Sequence, residues 1–268
     1  MKQDLLTIVS NAADPAEKQN LMREYIQACA LRSLHEGGAF KNLSFVGGTA
    51  LRFLFALPRF SEDLDFSLES NENYDPVSWL TKMKRDFSRL GFEADITWND
   101  RKTVHTGWIK IAGLLHECGL SARPEQKIAV KIEIDTLPPE GAITEKKIVN
   151  RHTIFAVRHH TLSCLMAGKI RALLTRPFQK GRDWYDLLWY LSRIPPVIPD
   201  SAFLSNALSQ PGEVNYFKPE LGWKGSVSAL LNTLSIKSLK SDVDVFLENP
   251  NDADLFTEEN FRELLSRG

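Results

Sequence analysis

The pattern of hydrophobic and polar positions changes character near residue 158. Before that point, helical spacing of apolar residues predicts helices over 15–36, 50–56 and 76–90. Alternating or short apolar runs predict strands over 43–46, 64–68, 92–98, 103–115 and 127–136. From residue 161 onward only the helical period continues, first over 162–175 and 182–192 and then in shorter helices. We therefore expect an α/β domain over residues 1–158 and a helical domain over 159–268.

Two of the predicted strands carry carboxylates on one polar face. Asp63 and Asp65 are two residues apart on the strand around 64–68, so both side chains point to the same side of it. Two such anions repel each other unless they share a hard cation, and Mg²⁺ favours oxygen ligands. Glu133 would supply a third carboxylate from the strand over 127–136, with Asp135 as the substitute. An exposed acidic strand edge is the simpler alternative.

An earlier predicted strand ends at a Gly-Gly turn that opens a helix. Gly47 and Gly48 follow the strand 43–46, and Thr49 is expected to cap the apolar helix behind them. Residues without side chains allow backbone N–H groups to approach a phosphate, and the helix N-terminus favours its negative charge. A phosphate site beside a metal site is the expectation.

The order of these motifs is more specific than any one of them. A strand, a Gly-Gly turn, a helix, an Asp-x-Asp strand and a later acidic strand resemble the DNA polymerase β-type nucleotidyltransferase superfamily. Residues 47–52 and 59–66 are more closely similar to the AbiEii/AbiGii-type nucleotidyltransferase toxins of bacterial type IV toxin–antitoxin systems. The similarity continues at residues 131–133, 167–173 and 182–187.

This resemblance implies a fold and a set of site residues. The fold is an α+β, polymerase β-like mixed sheet with flanking helices, followed by a helical C-terminal half. Asp63 and Asp65 would be the metal ligands and Gly47-Gly48 the phosphate turn. Lys169 and Asp183 would be essential partners, contributed to the site by the helical domain. Many superfamily members have serine where this chain has Gly48, so a hydroxyl contact to phosphate would come from Thr49 or be absent.

Several further residues are candidates for nucleotide binding. Arg52 and Arg59 bracket the approach to Asp63 and would bind triphosphate, or would instead pair with Glu62 on the surface. Lys131 belongs to the matched segment beside Glu133. Ser61 precedes Asp63 by two residues, and its phosphorylation would place negative charge beside the metal site and switch activity off.

The helical half offers a second group of charged candidates. Lys169 and Arg176 share a helix face, where a lysine can neutralise phosphate or simply be exposed. Asp183 would pair with a basic residue or complement the helix dipole, and Asp186, on a similar face, would hold Lys169 or Arg52 in place. We rank Asp183 above Asp186.

Charge is unevenly distributed although the net charge is only −1. Residues 146–182 contain nine Lys or Arg and no Asp or Glu, whereas residues 241–268 contain eight acids and two bases. The basic segment is a candidate contact for RNA, with Trp184 as a candidate base contact, and a solvated basic face is the alternative. The acidic segment would contact the basic one within the chain.

The composition excludes several other classes of protein. Hydrophobic residues make up 43% and charged residues 25%, as in an ordinary globular protein. The three cysteines are widely spaced, so neither a zinc site nor a disulfide framework is predicted. There is no signal-peptide pattern and no apolar run long enough to span a membrane, and we expect a cytoplasmic location.

Together the residues and the resemblance lead to one functional prediction. The protein would be a Mg²⁺-dependent nucleotidyltransferase toxin that moves a nucleoside monophosphate from an NTP to an acceptor, with RNA and in particular the tRNA 3′ end favoured. A separately encoded antitoxin would restrain it. The alternatives are transfer to a protein side chain and a catalytically silent binding module of the same fold.

Overall fold

A computed structural model describes residues 2–12 and 14–267. The chain forms two compact units. The first, which we call the sheet unit, comprises residues 1–56, 60–138 and 144–159. The second, the helical unit, comprises residues 57–59, 139–143 and 160–268. The short segment around Arg59 therefore belongs to the helical unit although its neighbours in sequence belong to the sheet unit.

The sheet unit contains helices and strands that alternate along the chain. In chain order they are α1 (Lys2–Ser10), α2 (Pro15–Glu36), β1 (Leu43–Val46), α3 (Gly47–Phe55), β2 (Leu64–Leu68), α4 (Pro76–Arg89), β3 (Ala94–Asn99), β4 (Val104–Ile111), α5 (Leu114–Glu117), β5 (Ile128–Asp135), β6 (Thr144–Arg151) and β7 (Thr153–His160, whose last residue is in the helical unit). A short 3₁₀ helix, Ala39–Lys41, precedes β1.

The strands form one mixed sheet in the order β3-β4-β5-β2-β1-β7-β6. At its centre β1 pairs antiparallel with β2 and parallel with β7, while β2 pairs parallel with β5. The β3-β4-β5 side is antiparallel throughout. This architecture confirms the predicted α+β class with a mixed sheet and flanking helices.

Local sequence explains why the predicted elements form. The Asp14 side chain accepts hydrogen bonds from the Ala16 and Glu17 N–H groups at the start of α2, and Gly37 ends that helix. In β2 and β5 the apolar positions are buried and the intervening acids are half-exposed, so both strands present one core face and one polar face. The core includes Leu64, Phe66, Ile132 and Ile134.

Three local predictions were wrong in detail. Helix α3 begins at Gly47 with Val46 as its N-cap, so Thr49 lies inside the first turn and is not the cap. Strand β4 ends at Ile111 because Gly113, with φ +78°, turns the chain into the short helix α5. The β6-β7 hairpin was not predicted because β6 has almost no buried positions and therefore no hydrophobic alternation to detect.

The helical unit is built from helices, as predicted for the C-terminal half. They are α6 (Leu162–Thr175), α7 (Gly181–Ser192), α8 (Ser201–Ser209), α9 (Gly222–Leu231), α10 (Ile236–Val243) and α11 (Glu258–Ser266), with 3₁₀ helices at Pro219–Leu221, Asp244–Phe246 and Pro250–Leu255. Trp184 lies in the core, fully buried, where it contacts Phe261 and donates a hydrogen bond to Gln179. It is therefore not a base-stacking surface.

The acidic C-terminal segment folds against α7. The Asp242 carboxylate accepts a hydrogen bond of 2.7 Å from the Gly181 N–H at the start of that helix, and Asp252 accepts one from Tyr185. The Arg182 guanidinium lies over the Phe246 ring, 4.4 Å from its centre, which is a cation–π contact. The segment thus contacts part of the basic segment within the chain.

Candidate active site

The strand register brings two of the predicted carboxylates side by side. Asp65 on β2 lies directly opposite Glu133 on the neighbouring parallel strand β5, and Val46 at the end of β1 lies opposite Asp65 on its other side. Asp135 is instead opposite Ser67, one row further along the sheet. Because residues in register on adjacent strands share a face, this arrangement favours Glu133 over Asp135 as the third carboxylate. We call the polar side of β2, β5 and β4 the carboxylate face.

Gly47 occupies the point where the Gly-Gly turn meets this face. Its φ is +78°, and a Cβ atom built on it would lie 2.2 Å from the Asp65 Oδ2 atom. No other residue fits there without moving Asp65, since real Cβ contacts do not approach so closely. Gly48 is buried in the same first turn of α3. The turn therefore brings backbone N–H groups at a helix N-terminus close to a carboxylate.

The segment that carries Asp63 is held by hydrogen bonds to its backbone. The hydroxyl of Thr49, which is fully buried, donates to the Asp63 carbonyl oxygen. The Gln27 side-chain amide donates to the Ser61 carbonyl oxygen at 3.0 Å. These contacts favour a positioning role for Thr49, in place of the predicted hydroxyl contact to phosphate. Ser61 is itself half-buried, and the proposed effect of its phosphorylation stays a prediction.

Glu133 has a basic neighbour on the same strand. The Lys131 Nζ atom lies 2.7 Å from the Glu133 Oε1 atom, and both side chains are about 30% exposed (28% and 30%). Within residues 2–12 and 14–267, no group of three or more His, Cys, Asp or Glu side chains is arranged to hold a metal ion. Asp63 and Asp65 offer the oxygen-only donors that a hard cation prefers. Glu133 could become a third ligand only if the cation replaced Lys131 as its partner.

The structure corrects the prediction for Arg52. This side chain is 2% exposed, and its Nε atom donates to the Glu24 carboxylate at 2.5 Å. Arg52 is therefore neither an exposed ligand for triphosphate nor a surface partner of Glu62. Glu62 instead forms an ion pair with Arg23, whose guanidinium nitrogen lies 3.5 Å from the Glu62 Oε1 atom.

Glu24 is the centre of this buried charge cluster. Arg151 and His152 contact its second oxygen at 3.0 and 2.8 Å. Burial alone would raise the pKa of Glu24, but the contacts with His152, Arg52 and Arg151 lower it to about 2. The sequence analysis missed Glu24 and the buried Gln27, although polar residues on the apolar side of α2 were a detectable signal.

The helical unit contains the second group of predicted site residues. Lys169 on α6 donates to the Asp183 carboxylate at 2.6 Å and lies 2.8 Å from Asp186, both on α7. Arg176 contacts the other Asp183 oxygen at 2.8 Å. Arg59 contacts both Asp186 oxygens, at 2.6 and 2.7 Å. We call these five residues the lysine network.

Burial makes the lysine network a fixed unit. Asp186 is 0% exposed and Arg59 is 2% exposed, so Arg59 is buried against Asp186 and is not the exposed ligand for triphosphate that the sequence suggested. Asp186 holds Lys169, one of the two partners expected for it, and holds Arg59 rather than Arg52. Desolvation lowers the pKa of Lys169, but Asp183 and Asp186 raise it above its ordinary value. Burial raises the pKa of Asp183, but Lys169 and Arg176 hold it well below its usual range. Lys169 and Asp183 therefore form a charged pair at neutral pH.

The basic segment 146–182 does not form the solvated basic run that its sequence suggests. Seven of its nine basic side chains contact backbone carbonyls, carboxylates or a ring: Lys147, Arg151, Arg158, Lys169, Arg171, Arg176 and Arg182. The segment also spans both units. Most of its basic side chains therefore make contacts within the chain, in addition to any contact with an external anion.

Comparisons with known proteins identify relatives over most of the chain. The family model for the nucleotidyl transferase AbiEii toxin of type IV TA systems matches residues 29–267. A protein from H. pylori that carries a provisional nucleotidyltransferase assignment has 18% identity and a TM-score of 0.57, with 92% of this chain and 95% of that chain covered. JHP933 from Helicobacter pylori has 18% identity and a TM-score of 0.52, with 92% of each chain covered. These two structures share the fold.

Two further searches gave negative results. No curated protein sequence matches the chain. Among the described residues, no helix is both long and apolar enough to cross a membrane.

Proposed function

The chain belongs to the nucleotidyl transferase AbiEii toxin family, and we propose that it transfers a nucleoside monophosphate from an NTP to an RNA acceptor with Mg²⁺ as cofactor. Family membership makes it a nucleotidyltransferase of a toxin–antitoxin system. The metal, the acceptor and the site residues are our proposal. One observation carries it: Asp65 lies in register with Glu133 and against Gly47, so carboxylates and a helix N-terminus meet at one point.

Asp63 and Asp65 would hold the cation, with Glu133 as a third ligand. Bound there, Mg²⁺ would neutralise charge on the α-phosphate and lower the cost of forming the attacking alkoxide. Thr49 holds the Asp63 backbone and Gln27 holds that of Ser61, which would restrict the segment that carries the Asp63 carboxylate before substrate binds. Gly47 leaves Asp65 in place because it has no side chain to displace it.

The chemistry is an in-line displacement on the α-phosphorus. A hydroxyl of the acceptor forms the new O–P bond, the bond to the β-phosphate oxygen breaks, and pyrophosphate leaves with that electron pair. Glu133 would assist the loss of the hydroxyl proton after parting from Lys131, which would then be available to phosphate. The N–H groups of the Gly47-Gly48 turn would receive the leaving phosphates.

Lys169 would stabilise the charge that develops on the transferred phosphate, with Asp183 as its essential partner. The contacts with Asp183 and Asp186 raise the pKa of Lys169, which keeps its ammonium group protonated at neutral pH. Asp186 and Arg59 would act through Lys169 by fixing its position.

RNA, and the tRNA 3′ end in particular, is proposed as the acceptor on the basis of the family resemblance. The positive charge of the basic segment gave independent support for an RNA acceptor. That support is weaker because most of its basic side chains contact groups within the chain. A separately encoded antitoxin is the proposed partner, and the cytoplasm the proposed location.

Nucleotidyl transfer can be tested directly. Purified protein is incubated with Mg²⁺, each α-labelled NTP in turn and total bacterial RNA, beside D63A/D65A and the D135N control. Label on RNA that depends on the Asp63/Asp65 pair and survives in D135N would support the proposal and identify the donor. Label on protein alone would move the acceptor to a protein side chain. No label with any NTP would contradict the proposed reaction.

A further inference from the structure

A tryptophan occupies a polar position on the strand next to the Glu133 strand. In β4, Gly107, Ile109 and Ile111 are buried, and the residues between them point to the opposite side. Trp108 is one of these residues and is 38% exposed. A Cβ atom on Gly107 would lie 3.2 Å from the Trp98 ring and 3.5 Å from Ile132, so the core side at this point is already filled. The core therefore gives no reason for an indole on the outer side.

The register places Trp108 on the carboxylate face. Trp108 lies directly opposite Lys131 on β5, and Glu133, two residues further along β5, lies opposite Asp65 on β2. Residues paired or two apart in a sheet share a face, so Trp108, Lys131, Glu133 and Asp65 point to the same side. From strand geometry, Trp108 and Asp65 are separated by roughly 10 Å across the sheet and about 7 Å along it. A short stretch of nucleic acid spans that distance.

Two lysines flank the indole. The Nζ atoms of Lys110 and Lys131 each lie 5.9 Å from the centre of the Trp108 ring. A half-exposed aromatic ring with two ammonium groups about 6 Å from its centre combines the two features that single-stranded nucleic acids require, a surface for a base and positive charge for the phosphates beside it. Lys131 also contacts Glu133, which connects the ring to the proposed catalytic carboxylates.

The other tryptophans do not offer this combination. Trp79 and Trp184 are buried, and Trp98 packs against the core of the sheet unit. Trp189 and Trp223 lie in the helical unit. The Lys224 Nζ atom lies 5.8 Å from the centre of the Trp223 ring. Trp223 is therefore chemically similar to Trp108 but is not on the carboxylate face, and it serves as a control.

We propose that Trp108, flanked by Lys110 and Lys131, is a stacking site for a base of the RNA acceptor and guides its reactive end toward the carboxylate face. This inference rests on the proposed function for the identity of the acceptor. Stacking on an aromatic side chain contributes enough that loss of the ring should weaken RNA binding roughly 5- to 150-fold. Every base has an aromatic face, so the site would hold the acceptor with little sequence preference.

The test measures RNA binding separately from transfer. Filter binding of labelled total tRNA, with Mg²⁺ and without NTP, gives Kd for the wild type, W108A, W108F and W223A, while circular dichroism checks the fold. We expect W108A to raise Kd by the factor above, W108F to restore most of the affinity and W223A to leave it unchanged. Lys110→Ala should lower the slope of log Kd against log salt by about 0.7, the value for one phosphate contact on a single strand.

The outcomes separate this inference from the proposed function. Unchanged tRNA affinity in W108A, or an equal loss in W223A, overturns the stacking site even if the wild type labels tRNA. A W108A variant whose KM for NTP rises while its tRNA affinity is unchanged assigns the ring to the donor base and also overturns it. A wild type that does not bind tRNA overturns it as well. Trp108-dependent binding without any transfer of label supports the stacking site and contradicts the proposed acceptor reaction.

Discussion

The carboxylate face and the lysine network use charged residues in opposite ways. On the carboxylate face, Lys131 and Glu133 are each about 30% exposed (28% and 30%), and the face is open to solvent. In the lysine network, Asp186 and Arg59 are 0% and 2% exposed and contact each other through two hydrogen bonds. Half-exposed charges can exchange partners at low cost, whereas buried charges need every partner they have.

This difference indicates which residues can meet substrate and which can only position others. A group that binds metal or phosphate has to give up its present partner, as Glu133 would give up Lys131. Arg59 cannot do so without depriving the buried Asp186 of two hydrogen bonds. Lys169 is intermediate, since its side chain is 11% exposed. Substitutions on the face should therefore affect activity, and substitutions in the network should affect stability as well.

The largest expected effect is on catalysis. Asp65→Asn should lower nucleotide transfer by at least about 10³-fold, because a lost metal ligand removes several kcal/mol of transition-state stabilisation. The free energy of unfolding should change by less than about 1 kcal/mol, since Asp65 is only half-buried. Transfer of α-labelled NTP and urea unfolding measure the two quantities. A large loss of stability would show that the carboxylate face is structural.

The next largest effect is on the stability of the helical unit. Asp186→Asn should lower the free energy of unfolding by about 3–5 kcal/mol, because the buried Arg59 and Lys169 lose a charged partner. Lys240→Ala is the matched control, since it breaks a pair with Asp254 that is 35% and 82% exposed, and it should cost less than about 1 kcal/mol. Equal effects of the two substitutions in urea unfolding would contradict the contrast between buried and exposed pairs.

A third measurement asks whether a buried charge in the sheet unit behaves like the lysine network. The pKa of Glu24 is about 2 in the folded chain against an ordinary value of 4.5. A lowered pKa stabilises the fold above pH 4.5, and this stabilisation, on the order of 3 kcal/mol, is lost as the pH falls toward 2. Glu24→Gln should therefore flatten the decrease in stability between pH 5 and pH 2. An unchanged pH dependence would show that other carboxylates dominate acid unfolding.

A fourth prediction decides between the two candidates for the third carboxylate. Glu133→Gln should lower transfer about 100-fold, since Glu133 is in register with Asp65, and Asp135→Asn should change it less than about threefold. The Asp135 carboxylate instead accepts a hydrogen bond from the Leu137 N–H. The opposite ranking of initial rates would assign the role to Asp135.

The smallest expected effect separates backbone strain from the contact with Asp65. Gly47→Ala and Gly113→Ala both place a side chain at φ +78° and should each cost about 1–2 kcal/mol of stability. Only Gly47→Ala should also lower transfer, by at least tenfold, because its Cβ would collide with Asp65. Similar transfer by the two variants at a temperature where both are folded would remove the argument that Gly47 makes room for a catalytic carboxylate.

Much of the fold could be predicted because its causes are local. The cap at Asp14 and the glycine at 37 predicted a helix over 15–36, and α2 has these bounds. Alternation predicted the two faces of β2 and β5, with Asp65 and Glu133 on the polar side, whereas Asp63 comes just before β2 begins. The order of the motifs indicated the family over residues 45–187, and the family match extends to residues 29–267.

The partners of individual charges could not be predicted. Arg52 and Arg59 were both placed near phosphate because they lie shortly before Asp63 in the sequence. Their partners are Glu24 and Asp186, which are 28 and 127 residues away along the chain. The β6-β7 hairpin was not predicted for a related reason. Strand β6 is mostly exposed and has no hydrophobic alternation, so only its pairing with a neighbouring strand identifies it.

The sequence by itself determined most of the helices and strands, the polar faces of β2 and β5 and the family, because each depends on residues close together in the chain. Only the tertiary structure decided that Glu133 rather than Asp135 lies beside Asp65, that Arg59 is buried, and that Trp108 shares a face with the carboxylates. Strand register and burial are set by packing between distant segments. The strength of a charge interaction depends on both, since distance and exposure to water determine whether two charges attract strongly or weakly.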